Sequence, residues 1–119
     1  MENIKIYDAE YRFMCLVWDK EPINSTELVK LCNDEFGWKK STTYTVIKRL
    51  SERGAIKNED AIVTTLVSRQ QIQKYESEQI LDKTFDNSLP SFITAFLQDK
   101  KLTRDEAEQI KQMIEEATL

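Results

Sequence analysis

The chain has no histidine, and only two cysteines, two glycines and two prolines among its 119 residues. Without histidine it lacks the commonest general base and the commonest transition-metal ligand. Cys15 and Cys32 form no CxxC or CxC pair, and both fall in apolar helical patterns. They read as reduced, buried small hydrophobes. There is no Gly-rich loop and no metal-ligand cluster. These absences argue against an enzyme, and we expect no cofactor and no metal. So few glycines and prolines imply long helices and few turns. No apolar run approaches the roughly 18 residues of a membrane span. The opening MENIKIYDAE has no basic start followed by an apolar stretch, so it is not read as a secretion signal. We expect a cytoplasmic protein with no membrane partner. A chain of this size buries roughly two thirds of its unfolded surface, enough for a core without staples.

What the chain does have is a local reversal of charge. Overall it is acidic, with 17 Lys+Arg against 21 Asp+Glu. From Gly37 to Lys57, however, Lys39, Lys40, Lys48, Arg49, Arg53 and Lys57 face a single acid, Glu52. Such a patch is an electrostatic footprint for a polyanion. Interleaved with it are Ser41, Thr42, Tyr44 and Thr45, which can hydrogen-bond to phosphates or base edges. The pattern suggests a helix that enters a groove of double-stranded DNA.

Apolar periodicity and capping signals place this helix in a fold. A first helix from about Asp8 to Lys20 buries Phe13, Met14, Val17 and Trp18. After Pro22, Asn24-x-x-Glu27 has capping-box spacing and opens a second helix, Ser25 to Phe36, which Gly37 stops. The third, from about Lys40 to Arg53, puts Thr43, Val46, Ile47 and Leu50 on one face. Ser41, Tyr44, Thr45 and Lys48 lie opposite, with Arg49 on the flank. Two short strands, Ala55 to Asn58 and Ala61 to Val67, follow as a hairpin. The expected fold is mainly α with a small β-hairpin: a winged helix-turn-helix, residues 1–67.

Residues 68–119 read as a separate helical region. Ser68-x-x-Gln71 caps a fourth helix reaching about Asp86, whose apolar stripe changes face part-way. Leu89, Phe92, Ile93, Phe96 and Leu97 make a clean stripe on a fifth. Thr103-x-x-Glu106 caps a sixth, with Ala107, Ile110, Met113, Ile114 and Ala117 on one side. Helices this short are marginal alone, so we expect them to bury these stripes against a second copy. Leu89, Phe92, Ile93, Phe96, Leu97, Ile110, Met113 and Ile114 are the candidate dimerisation residues.

Two blocks of the sequence resemble the penicillinase and methicillin-resistance repressors, the BlaI/MecI family, with the copper repressor CopY a more distant relative. Asp8-Ala9-Glu10-Tyr11-x-Phe13-Met14-x-x-Val17-Trp18 is similar to the family's opening helix. Gly37-Trp38, then Ser41-Thr42-x-x-Thr45-Val46-Ile47-x-Arg49-Leu50 and Arg53-Gly54, is similar to its recognition-helix block. The resemblance spans nearly the whole chain. It implies a homodimeric transcriptional repressor on a palindromic operator, with Arg49 on the DNA backbone and Tyr44 and Thr45 near bases. It also implies derepression by a regulatory protease acting in the helix at 91–97. The family's Asn-Phe bond there corresponds to Ala95-Phe96, so the Phe matches and the Asn does not. Tyr44 stands where the family is usually basic. The C-terminal CxC pair of the copper branch has no counterpart, so copper sensing is not expected.

The expected DNA-binding residues are therefore Lys39, Lys40, Ser41, Thr42, Tyr44, Thr45, Lys48 and Arg49. Trp18 and Trp38 are read as packing residues. A rival from another class is a winged-helix adaptor whose basic helix docks an acidic protein.

Overall fold

A computed structural model describes residues 4–119. The chain divides into two compact units, Met1–Gln79 and Ile80–Leu119.

In the first unit α1 (Asp8–Lys20), β1 (Ile23–Asn24), α2 (Ser25–Phe36) and α3 (Lys40–Glu52) precede β2 (Ile56–Glu59) and β3 (Ile62–Thr65). Tyr7 is the N-cap of α1, and its amide donates to Glu10 Oε1 at 3.0 Å. Asn24 caps α2 by accepting the Thr26 amide at 2.8 Å. At the other end of α2 the chain turns at Gly37, with φ 70°. The Gly37 amide returns to the Asn33 carbonyl at 2.9 Å, and the Trp38 amide to that of Cys32 at 3.4 Å. Such an ending needs a left-handed residue, which glycine adopts without strain.

The sheet holds one strand more than the hairpin expected from sequence. Its order is β1-β3-β2, all antiparallel, with Ile23 opposite Val63 and Asn58 opposite Val63 on the other side. The hairpin turns at Asp60 and Ala61, which have φ of 52° and 64°. Two successive left-handed residues make the hairpin twist match that of its strands. Ala61 also accepts the Ser25 amide at 2.8 Å, tying the hairpin tip to the start of α2.

The core collects Phe13, Met14 and Val17 from α1, Leu28 and Cys32 from α2, Val46, Ile47 and Leu50 from α3, and Ile56 and Val63 from the sheet. Cys32 is buried and Cys15 half-buried, and both are free thiols. Trp38 is half-buried and stacks on Phe13, with ring centroids 6.1 Å apart. Trp18 is half-buried too. Its indole N–H donates to the Val67 carbonyl at 2.9 Å, and its ring meets Tyr11 edge-on. The helix α4 (Arg69–Thr84) crosses from one unit to the other. Its Ile72 is buried in the core of the first unit.

In the second unit, α5 (Leu89–Leu97) and α6 (Arg104–Ala117) are capped by Ser88 and Thr103, which accept the Ser91 and Glu106 amides. Neither helix contains a buried residue.

Gly37 and Ala61 allow a test with opposite signs. A Cβ on Gly37 would meet nothing within 4 Å, so Gly37→Ala costs only the left-handed backbone. That is about 1 kcal/mol, or roughly 4–8 °C in Tm for a domain of this size. Ala61→Gly relieves the same strain and should raise Tm slightly, the more flexible unfolded chain taking back part of the gain. Calorimetry on both variants checks the pair.

Candidate nucleic-acid interface

The site is built on one face of α3. Thr43, Val46, Ile47 and Leu50 are buried against the core. The helix turns 100° per residue, so this stripe forces Ser41, Thr45, Lys48 and Arg49 outward. All four are exposed, as are Lys39, Lys40 and Thr42. No side chain caps the start of α3, and its first turn carries no acid. The positive end of the helix dipole thus adds to the Lys39 and Lys40 charges, a setting that favours a phosphate.

The structure spends two of the six cations elsewhere. Arg53 turns inward and grips Glu10 with both terminal nitrogens, Nη1 donating to Oε1 at 2.9 Å and Nη2 to Oε2. Nη1 also donates to the Lys5 carbonyl at 2.7 Å. Lys57 lies 3.7 Å from Glu59. Among the described residues, the ion pairs involve Arg53, Lys57, Arg69 and Lys111, and so leave Lys39, Lys40, Lys48 and Arg49 unneutralised.

Tyr44 corrects the sequence reading. It was expected on the open face, but it is half-buried and packs against the core. Its hydroxyl lies 3.3 Å from Ser25 Oγ on α2. Lys40 Nζ sits 6.0 Å from its ring centroid. An aromatic ring one residue past the buried Thr43 gains more from covering the α2–α3 seam than from water. The edge of Tyr44 therefore borders the exposed face and does not stand on it. Thr45 donates its hydroxyl proton to the Ser41 carbonyl at 2.9 Å.

Sequence reading missed Glu10 and Ser25. Glu10 was legible, because it extends the Phe13, Met14, Val17 stripe back by one turn. An acid on an apolar stripe needs a buried partner. Ser25 is 4% exposed, and nothing in its sequence context announces that.

Burial pushes the Glu10 carboxyl up, but the Arg53 hydrogen bond, the Tyr7 amide and the Arg53 and Arg49 charges outweigh it and hold the group below its usual range.

Among the described residues no group of three His, Cys, Asp or Glu could hold a metal ion. Among the described residues no helix is long and apolar enough to cross a membrane.

The sequence profile of the penicillinase repressor family matches residues 6–116. The chain belongs to that family. The penicillinase repressor of Bacillus licheniformis is 25% identical over an alignment of 116 residues that covers 94% of this chain and 91% of that protein. The methicillin resistance regulatory protein MecI of Staphylococcus aureus strain Mu50 is 24% identical over 117 residues, 95% of each. Among solved structures, the Bacillus licheniformis BlaI monomeric form in complex with the blaP half-operator matches with a TM-score of 0.52 at 26% identity. It covers 59% of this chain and 90% of that one. The DNA binding domain of the repressor BlaI matches with the same TM-score and coverage at 27% identity.

The Glu10–Arg53 pair adds an acid-sensitive contribution to stability. Its Glu10 pKa is lower folded than unfolded, so the pair stabilises fully above the ordinary value of 4.5. That contribution is lost as pH falls through the lower folded value. Arg53→Ala should destabilise by roughly 2–3 kcal/mol, less than a fully buried pair, because the Arg53 side chain keeps 29% of its surface in solvent. Urea denaturation from pH 7 down to pH 3 should show a shallower acid loss in Arg53→Ala than in wild type.

Proposed function

We propose that the chain is a homodimeric DNA-binding transcriptional repressor whose α3 enters the major groove of an inverted-repeat operator. The observation that carries this reading is the exposed, unneutralised face of α3 in a family of repressors. It is supported by the likeness to a BlaI form bound to a half-operator. Lys39, Lys40, Lys48 and Arg49 meet phosphates and supply affinity with its salt dependence. Ser41, Thr42 and Thr45 face base edges, and the rim of Tyr44 joins them. Each good base contact discriminates by about 1–3 kcal/mol.

The pairing of two copies rests on the second unit. Leu89 is 55% exposed, Phe96 50%, Met113 62% and Ile114 60%. Ile93 and Ile110 are exposed as well, while Phe92 and Leu97 are half-buried. An apolar surface of this kind on so small a unit marks an association site. A second copy would bury it and hold two recognition helices about one helical turn of DNA apart. Proteolytic inactivation at Ala95–Phe96 is part of the same reading. Both residues are exposed, but they lie within α5. Cleavage there requires the last turns of α5 to unwind.

Selection of bound sequences from a random duplex pool tests the whole reading, with enrichment of one palindrome as the expected result. Enrichment of no sequence, together with salt-sensitive capture of an acidic protein, would favour an adaptor. Arg49→Ala should weaken binding to every duplex equally and lower the slope of log affinity against log salt by roughly one. Thr45→Val keeps the shape of an exposed side chain of α3 and removes only its hydroxyl, so it should relax preference at one position per half-site with the salt slope intact.

Met113→Asp should abolish tight operator binding without touching α3. Met113 is 62% exposed in the single chain, so the charge costs the protomer little. In a dimer core it costs several kcal/mol. Sedimentation at micromolar concentration should show a dimer for wild type and a monomer for the variant. A strictly monomeric wild type that still binds a palindrome tightly would overturn the dimer.

A further inference from the structure

The tip of the hairpin carries Glu59 and Asp60, both exposed. Glu59 is partly offset by Lys57 at 3.7 Å, whereas Asp60 takes part in none of the ion pairs among the described residues. A short chain of contacts connects this tip to the candidate interface. The Ala61 carbonyl accepts the Ser25 amide at 2.8 Å, Ser25 Oγ lies 3.3 Å from Tyr44 Oη, and the Tyr44 ring lies 6.0 Å from Lys40 Nζ. Asn24, next to Ser25, pairs with Ile62 on the far side of the turn. The turn is therefore fixed to the start of α2 by backbone bonds, and α2 in turn meets α3 at the Ser25–Tyr44 contact.

We propose that Glu59 and Asp60 act as an electrostatic brake on DNA binding, lowering affinity for every duplex by repelling the phosphates beside the groove that α3 enters. The proposal rests on the DNA-binding reading above. Carboxylates carried beside a cationic helix face would repel any phosphate that comes within a Debye length of them, about 8–10 Å. Their repulsion carries no base information. It subtracts from the sequence-independent attraction that Lys39, Lys40, Lys48 and Arg49 provide. Salt screens it, so it also flattens the dependence of affinity on salt. The backbone ties at Ala61 and Asn24 matter because a free tip would swing away from the phosphates, and an anchored one cannot. Base contacts then carry a larger share of whatever binding remains.

The test uses the full chain and a fluorescent random-sequence duplex of roughly 30 base pairs, titrated across a series of salt concentrations. Asp60→Asn should tighten binding by about two- to five-fold at low salt, and Glu59→Gln with Asp60→Asn by more. The salt slope should steepen in both. Glu115→Gln with Glu116→Gln makes the same change in net charge at the end of α6 and should change affinity little. If the α6 pair tightens binding as much as the tip pair, the effect is one of net charge and the brake is overturned. If wild type binds and the tip variants bind no tighter, the brake alone is overturned. If wild type binds no duplex at any salt, the DNA-binding reading fails and the brake fails with it.

Discussion

The unit that carries the interface depends on how α3 is seated. One stripe, Thr43, Val46, Ile47 and Leu50, is pressed into a core made by α1, α2 and the sheet. Burying that stripe fixes the rotation of the helix, and the rotation points Ser41, Thr45, Lys48 and Arg49 outward. The Arg53–Glu10 grip then ties the C-terminal end of α3 to α1 and to the segment before it. The interface is in this sense a by-product of packing. The cations are exposed because the apolar residues between them are not.

That dependence explains how much was legible in the sequence. The stripe on α3, the glycine stop at Gly37 and the Asn24 cap are local signals, and each element they define appears where they put it. The β1 strand is only Ile23–Asn24, too short to show alternation, and it exists because β3 offers it an edge. Tyr44 failed for a different reason. Its angle on the helical wheel is intermediate, and only the neighbouring α2, with Ser25 beside it, decides whether such a ring is covered. Arg53 was counted with the cations because sequence shows its charge and not its direction.

The second unit presents the complementary case. Its stripes on α5 and α6 are as regular as that of α3, yet neither helix buries a single residue. Phe85, Phe92 and Phe96 form a small aromatic cluster, with centroids 5.3 and 5.9 Å apart, and this is far short of a core. Forty residues rarely supply both faces of a hydrophobic layer. An amphipathic pattern without an internal partner is the surface that the proposed dimer would bury.

The bond from the Thr45 hydroxyl to the Ser41 carbonyl reaches further than its size suggests. A hydroxyl has one proton to give. While that proton stays with the helix backbone, the oxygen of Thr45 can only accept. The acceptor edges of guanine, N7 and O6, then offer it nothing. What it can meet is an amino group, N6 of adenine or N4 of cytosine, or, through its methyl group, the methyl of thymine. In the proposed repressor, a helix that holds its own threonine in this way would narrow its vocabulary before any DNA arrives.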